Sequence, residues 1–353
     1  MTKALWSIML AGILAVQIAP AGAKAATEAR PGETITWGAD AKPSIINPSV
    51  NTSLSAWESF KRRTGSRGFP DKMLDDPILK GAIDVHAHYG PDVYRRQWDV
   101  FEIARRAQER GMRGIVIKSH FEPSANLATI TRKYAAPNLE VWGALVLNAT
   151  VGGINPMAVR AFAENEGGTA KVVWMPTHDS EHEVKVQKET RPYVRVSDNG
   201  ELLPQVYEVL DLMKHYNLTL GTGHVSAEEM LKIVAAAKER GISGIIITHP
   251  GLGAMVTDPS IEQLQQAVAM GGYAEVVVTM LTGNSRKKTV AMMRAVGPAH
   301  VIVSSDSGLF GGENHTDALV IAAKILREEG FSEPDLNLMF KTNPAKVLGL
   351  PVR

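Results

Sequence analysis

The chain of 353 residues contains no cysteine. That excludes disulfides, thiolate metal ligands and a cysteine nucleophile, so any metal here is held by nitrogen and oxygen. A chain of this length buries its own core and needs no disulfide staple. An excess of either charge is also missing: 38 Lys and Arg against 37 Asp and Glu leave a net charge of +1. No basic stripe stands out, so nucleic acid is not an expected partner and a small-molecule substrate is. There is no Gly-rich phosphate loop after the first strand pattern, where "HAHYGPD" stands instead. This argues against an open, doubly wound dinucleotide-binding sheet. Beyond the N-terminus no apolar run is long enough to span a bilayer.

The N-terminus reads as a signal peptide over residues 1–25. "MTK" gives a positive start, "ALWSIMLAGILAVQIAP" an apolar stretch, and "AGAKAA" small-residue cleavage sites after Ala23 or Ala25. An uncleaved anchor is the alternative, since the uncharged run of about 20 residues approaches a span. The small-residue motif favours cleavage. The protein is therefore expected to be exported, periplasmic or secreted, and free of the membrane once processed. Residues 26–80 read as a polar N-terminal extension with one short helix around "SAWESFKRRTG". Residues 81–353 form the main domain.

From residue 81 onward, short apolar runs alternate with segments of helical period, as in successive βα units. The strand runs are "AIDVHAH", "GIVIKSH", "EVWGALVLN", "AKVVWMPTH", "LTLGTGH", "GIIITHP", "YAEVVVT" and "HVIVSSD". Helical stretches include "DVFEIARRAQERG", "LPQVYEVLDLMKHY", "SAEEMLKIVAAAKERG" and "DALVIAAKILREEG". Ser226 and Glu229 form a capping box at the start of the third of these. Eight strands with intervening helices predict an α/β fold, a closed (β/α)₈ TIM barrel. One stretch, residues 179–201, breaks the rhythm. "VKVQ" and "YVRV" flanking a turn predict a hairpin inserted after the fourth strand, on the face where such a barrel carries its site.

The histidines fall at strand ends. His86 and His88 end the first strand, two residues apart and so on one face, about 7 Å from each other. Lys118 and His120 end the second, His178 the fourth, His224 the fifth, His249 the sixth, and Asp306 the eighth. A parallel barrel brings all these ends to one rim. Each has a plainer reading: an incidental His-x-His pair, a loop histidine at 178, a turn cap at His249, a helix cap at Asp306. Together on one rim they point to a metal site. Lys118 is unusual, because an ammonium at the end of a buried strand is costly. It either pairs with Asp84 or Glu122, or it reacts with carbon dioxide to give N6-carboxylysine, whose carbamate can bridge two metals.

The set His86, His88, His224, His249 and Asp306, with the C-terminal "KTNPAKVLGL", resembles the amidohydrolase superfamily of metal-dependent barrel enzymes. The likeness covers about residues 81–350. It implies that His86, His88 and Asp306 hold one metal and His224 and His249 a second, with Asp306 the catalytic proton shuttle. The sequence departs from the superfamily pattern at one place. The fourth strand has no lysine at its end, Lys171 lying at its start, while Lys118 on the second strand matches a bridging position found in some members. His120 and His178 stand as additional metal or substrate ligands. Imidazole and carboxylate without sulfur suit Zn²⁺, one ion or two, with Mn, Fe, Co and Ni as alternatives. Tyr94, Arg95 and Arg96 in "PDVYRRQWD", and His315 past the eighth strand, are candidates for substrate binding.

The reading is a metal-dependent hydrolase of an amide, ester or lactone bond. A metal-dependent lyase or decarboxylase on the same barrel is the first alternative. A non-catalytic secreted metal or ligand binder is the second. A homo-oligomer is compatible with all three.

Overall fold

The computed structural model describes residues 72–353. The expected leader at 1–25 and the expected helix near residue 60 lie outside the described residues. Eight parallel strands run in the order β1 (Ile83–His88), β2 (Gly114–Lys118), β3 (Glu140–Val146), β4 (Ala170–Trp174), β7 (Thr219–Gly221), β8 (Ile245–Ile247), β9 (Gly272–Val277) and β10 (Val301–Ser304). Their neighbours in space are their neighbours in sequence, with helices between, as a (β/α)₈ barrel requires. The barrel closes where Ala87 bridges Ser307 in parallel. There His88 N–H donates to Ser307 O and Asp306 N–H to His86 O, both at 2.9 Å.

The strands are Val- and Ile-rich and buried on both faces, which is why they read as continuous apolar runs. Ile83, Val85, Val116, Trp142, Ala144, Val172, Trp174, Ile246 and Ile302 form one core cluster with Ala345, Val347 and Leu348 of the C-terminal segment. Val347 O accepts from Thr219 Oγ1 at 2.8 Å, at the start of β7, so the tail closes the end of the barrel opposite the histidine rim.

The helices follow their capping signals. Asp99 with Glu102, Ser226 with Glu229, and Ser260 with Gln263 form capping boxes at Val100–Glu109, Ala227–Glu239 and Ile261–Ala269. A helix after β2, Ala125–Tyr134, is absent from the helical stretches read in the sequence. Its run Thr129-Ile130-Thr131 is β-branched, and Ser124 makes no side-chain cap bond.

The insertion after β4 differs from expectation in detail. "VKVQ" is not a strand: Glu181–Val186 is a helix capped by Ser180, whose hydroxyl accepts from Glu183 N–H. A hairpin does follow, but later and shorter, β5 (Ser197–Asp198) with β6 (Glu201–Leu202) around Asn199-Gly200. Helical phase wins at 181–186 because the Ser cap and the acidic first turn, Glu181 and Glu183, favour a helix N-terminus. Before β1, Asp317 accepts from the backbone N–H of Lys72 and of Leu74, both at 2.8 Å. Arg327 bonds Asp76, so this short segment is tied to the helix His315–Glu328. Among the described residues no helix is long and apolar enough to cross a membrane.

Candidate metal centre

The strand ends converge as the sequence implies, although several strands stop sooner than expected. His178 lies four residues beyond β4 and His224 three beyond β7, both in the loops above the rim. Lys118, by contrast, is the last residue of β2.

His86, His88 and Asp306 form the tightest group. Asp306 Oδ1 lies 3.0 Å from His86 Nε2 and 3.2 Å from His88 Nε2. The opposite nitrogen of each ring is committed. His86 Nδ1 faces Glu275 Oε1 at 3.0 Å, and His88 Nδ1 donates to the carbonyl of Lys118 at 2.9 Å. With both Nδ1 atoms protonated, two imidazole lone pairs point at an anionic oxygen. Protonating the rings is no remedy for His88, because burial holds its pKa well below the ordinary value. Imidazole and carboxylate lone pairs converging in this way could hold a metal ion.

His224 and His249 make a second convergence, Nε2 to Nε2 at 3.3 Å. His224 Nδ1 is held by Glu183 Oε2 at 2.5 Å. His249 Nδ1 is buried with no hydrogen-bond partner, while its backbone N–H donates to Glu275 Oε2 at 3.3 Å. Both His249 (φ 24°) and Asp306 (φ 47°) sit at positive φ. Neither is glycine, so two of the converging side chains are carried on strained backbone.

Lys118 reaches the first group. It is fully buried, and its Nζ donates to His86 Nε2 at 2.9 Å and lies 5.0 Å from the centre of the Trp174 ring. His86, rather than Asp84 or Glu122, is thus its hydrogen-bond partner. Burial pulls its pKa down to about 8. Asp84 instead accepts from the backbone N–H of His86 and Ser305, and burial pushes its carboxyl up to about 6.

The remaining candidates spread over the rim. His120 Nδ1 meets Thr177 Oγ1 at 2.8 Å, and its ring stands 4.6 Å from His88 and 4.0 Å from His178. Tyr94 lies edge-on to His178 at 5.5 Å and to His120 at 6.4 Å. Arg96 is buried, its guanidinium bound to Asp92 Oδ2 at 2.7 and 2.8 Å. Arg95 is exposed and lies over Phe310. His315 Nε2 donates to the carbonyl of His88 at 2.7 Å, which braces that residue's backbone.

Two residues at the centre are absent from the sequence reading. Glu275, fully buried on β9, joins His86, the Ser304 hydroxyl (2.7 Å) and His249 N–H. A lone acid inside the apolar run "YAEVVV" was a visible signal, since a buried carboxylate demands partners. Glu183 belongs to the insertion, and its contacts are set by the fold alone.

A model of a family described as a family of unknown function, DUF6282, matches residues 81–275. No curated protein matches the chain. Among solved structures, an amidohydrolase from Pseudomonas aeruginosa is 13% identical with a TM-score of 0.52, covering 77% of this chain and 98% of its own. An amidohydrolase from Burkholderia multivorans with bound Zn is 12% identical, TM-score 0.51, covering 76% of this chain and 99% of its own. A TatD homologue from Escherichia coli is 16% identical, TM-score 0.51, covering 77% and 100%. The fold is that of the amidohydrolases.

Proposed function

We propose that this chain, which belongs to the family of unknown function DUF6282, is a metal-dependent hydrolase of an amide, ester or lactone bond in a small molecule. The observation that carries the reading is the facing of His86 Nε2 and His88 Nε2 onto Asp306 Oδ1 at 3.0 and 3.2 Å, with the other nitrogen of each ring already bonded. His86, His88 and Asp306 would hold one divalent ion, and His224 and His249 a second. Lys118 Nζ lies 2.9 Å from His86 Nε2, beside the first set. A bound ion would bring the pKa of water from about 15.7 to near 7 and polarise the substrate carbonyl.

The residues supply the rest. Asp306 is the one member of its trio with partial exposure, its side chain 20% accessible against 0% for His86 and 4% for His88. It can therefore take a proton from the attacking water and pass it to the leaving group without leaving its place. His178, 18% accessible, and Tyr94 stand on the rim where a substrate arrives. Lys118 suits carbamate formation. Addition to carbon dioxide needs the neutral amine, and a pKa of about 8 leaves about a tenth of it neutral at pH 7. The leader-like residues 1–25 support an exported enzyme.

Elemental analysis of protein expressed with added Zn²⁺, followed by a panel of amide, ester and lactone substrates, tests the proposal. We expect one to two equivalents of metal, and hydrolysis that Asp306→Asn abolishes while metal is largely retained. Metal below about a tenth of an equivalent would sink the reading. Full hydrolytic activity in the Asp306→Asn variant would remove Asp306 from proton transfer.

A further inference from the structure

The helix Glu181–Val186 reaches the site from outside the barrel, and one residue carries the contact. Glu183 is 2% exposed, and its two carboxylate oxygens serve two rings: Oε2 takes His224 Nδ1 at 2.5 Å and Oε1 faces His178 Nδ1 at 3.3 Å. Gln187, one turn on, donates to the same Oε1 at 2.6 Å. The cap of this helix holds His224 as well, Ser180 Oγ donating to its carbonyl at 2.7 Å. His224 N–H donates to Pro176 O at 2.9 Å. The ring, the carbonyl and the amide of His224 are thus all fixed by residues 176–183.

A carboxylate on Nδ1 sets the tautomer. It places the proton on Nδ1 and leaves the lone pair on Nε2, the atom that faces His249 at 3.3 Å. His249 has no such support, since its own Nδ1 is buried without a partner. Of the two rings, only that of His224 is therefore oriented by a carboxylate on its Nδ1. His86 is oriented differently, by Glu275 from the barrel wall.

We propose that Glu183 is a positioning residue that sets the affinity of the ion ligated by His224. The insertion after β4 thereby governs occupancy at this half of the centre, independently of the half held by His86, His88 and Asp306. The inference rests on the metal reading above and adds to it a division of control between the barrel and the insertion.

The test is Zn²⁺ stoichiometry and affinity by chelator competition, on the expressed protein and its Glu183→Gln variant. Removing the negative charge from a carboxylate behind a metal-ligating histidine is expected to weaken that ion 10- to 100-fold, roughly. A second ion, where the wild type binds two, should keep its affinity in Glu183→Gln, and His88→Ala should lose that ion instead. If the wild type binds a single ion, both His224→Ala and Glu183→Gln should weaken it, and a single ion that His224→Ala weakens but Glu183→Gln leaves unchanged, or that neither variant affects, overturns the proposal. Should the Gln variant not fold, Glu183→Asp keeps the charge but falls short of the ring, and a smaller loss in the same direction is expected. Unchanged affinities for every ion in whichever variant folds overturn the proposal, as does equal weakening of both ions where two are bound. Failure of the metal reading itself looks different, because the wild-type chain then binds no zinc at all.

Discussion

Glu275 offers the sharpest test of how the barrel wall supports the centre. It is fully buried, and three donors converge on it: His86 Nδ1 at 3.0 Å, Ser304 Oγ at 2.7 Å and the His249 amide at 3.3 Å. Burial alone would raise its pKa, but the facing His86 ring and the hydrogen bonds from His86 and Ser304 hold it below the ordinary carboxylate value. Glu275→Gln preserves shape and removes the charge. With its oxygen at the Oε1 position, the amide keeps His86 and Ser304 but turns NH₂ toward the His249 N–H. Flipped, it turns NH₂ toward His86 Nδ1–H and the Ser304 hydroxyl. In either orientation donor faces donor, and such an unmet buried group costs about 1–3 kcal/mol of stability. The bond to His86 also loses its ionic part, and charge-assisted bonds are about twice as strong as neutral ones. Metal affinity at His86, His88 and Asp306 should then fall by about 10- to 100-fold, or about 1.4–2.7 kcal/mol. Equilibrium dialysis against a graded chelator reads this directly, with circular dichroism to confirm the fold. An affinity within about twofold of wild type would refute the reasoning, because 0.4 kcal/mol is too small for the loss of a buried charge on a ligating ring.

Three further outcomes are expected. Gly308 has φ +128°, and a Cβ there would lie 2.4 Å from the His88 carbonyl oxygen. Gly308→Ala should cost about 1–3 kcal/mol in a thermal melt and weaken zinc binding, whereas Gly297→Ala, at φ +80° with open space around it, should leave zinc binding intact. Burial lowers the pKa of His315 from 6.5 to about 4. Between these values the unfolded chain binds the proton and the folded one does not, so stability falls as pH drops through that window and the effect is absent above it. Urea midpoints of chelator-treated protein at pH 7 and pH 5 should therefore differ less in His315→Gln, and an identical difference would contradict the assignment. If Lys118 is carboxylated, reconstitution with zinc and bicarbonate should load more metal than reconstitution in carbon dioxide-free buffer, and Lys118→Met should erase the gain.

The sequence made the barrel legible because each strand is buried on both faces and so reads as an unbroken Val and Ile run. His86, His88 and Asp306 were legible for the same reason: each marks the point where such a run stops. Loop geometry was less so. His178 and His224 stand three or four residues past their strands, a distance that sequence rhythm does not measure. The helix at 125–134 was hidden by its β-branched centre, and the helix at 181–186 by the alternation in "VKVQ", which suggested a strand until a Ser cap overrode it. Glu183 and Glu275 show two kinds of silence. Glu275 left a trace, an acid in an apolar strand, while Glu183 looks like any charged residue on a short helix until the chain folds over His224.

The closure of the barrel also orders events during synthesis. β1 is among the first segments of the domain to leave the ribosome, yet one of its edges pairs with Ser307 and the floor beneath it is Val347 and Leu348. Until those last residues emerge, an apolar strand bearing two histidines has a bare edge and no floor. The barrel thus cannot close on β1 until residues more than 200 positions further along the chain have been made, so its first strand waits for its last partners.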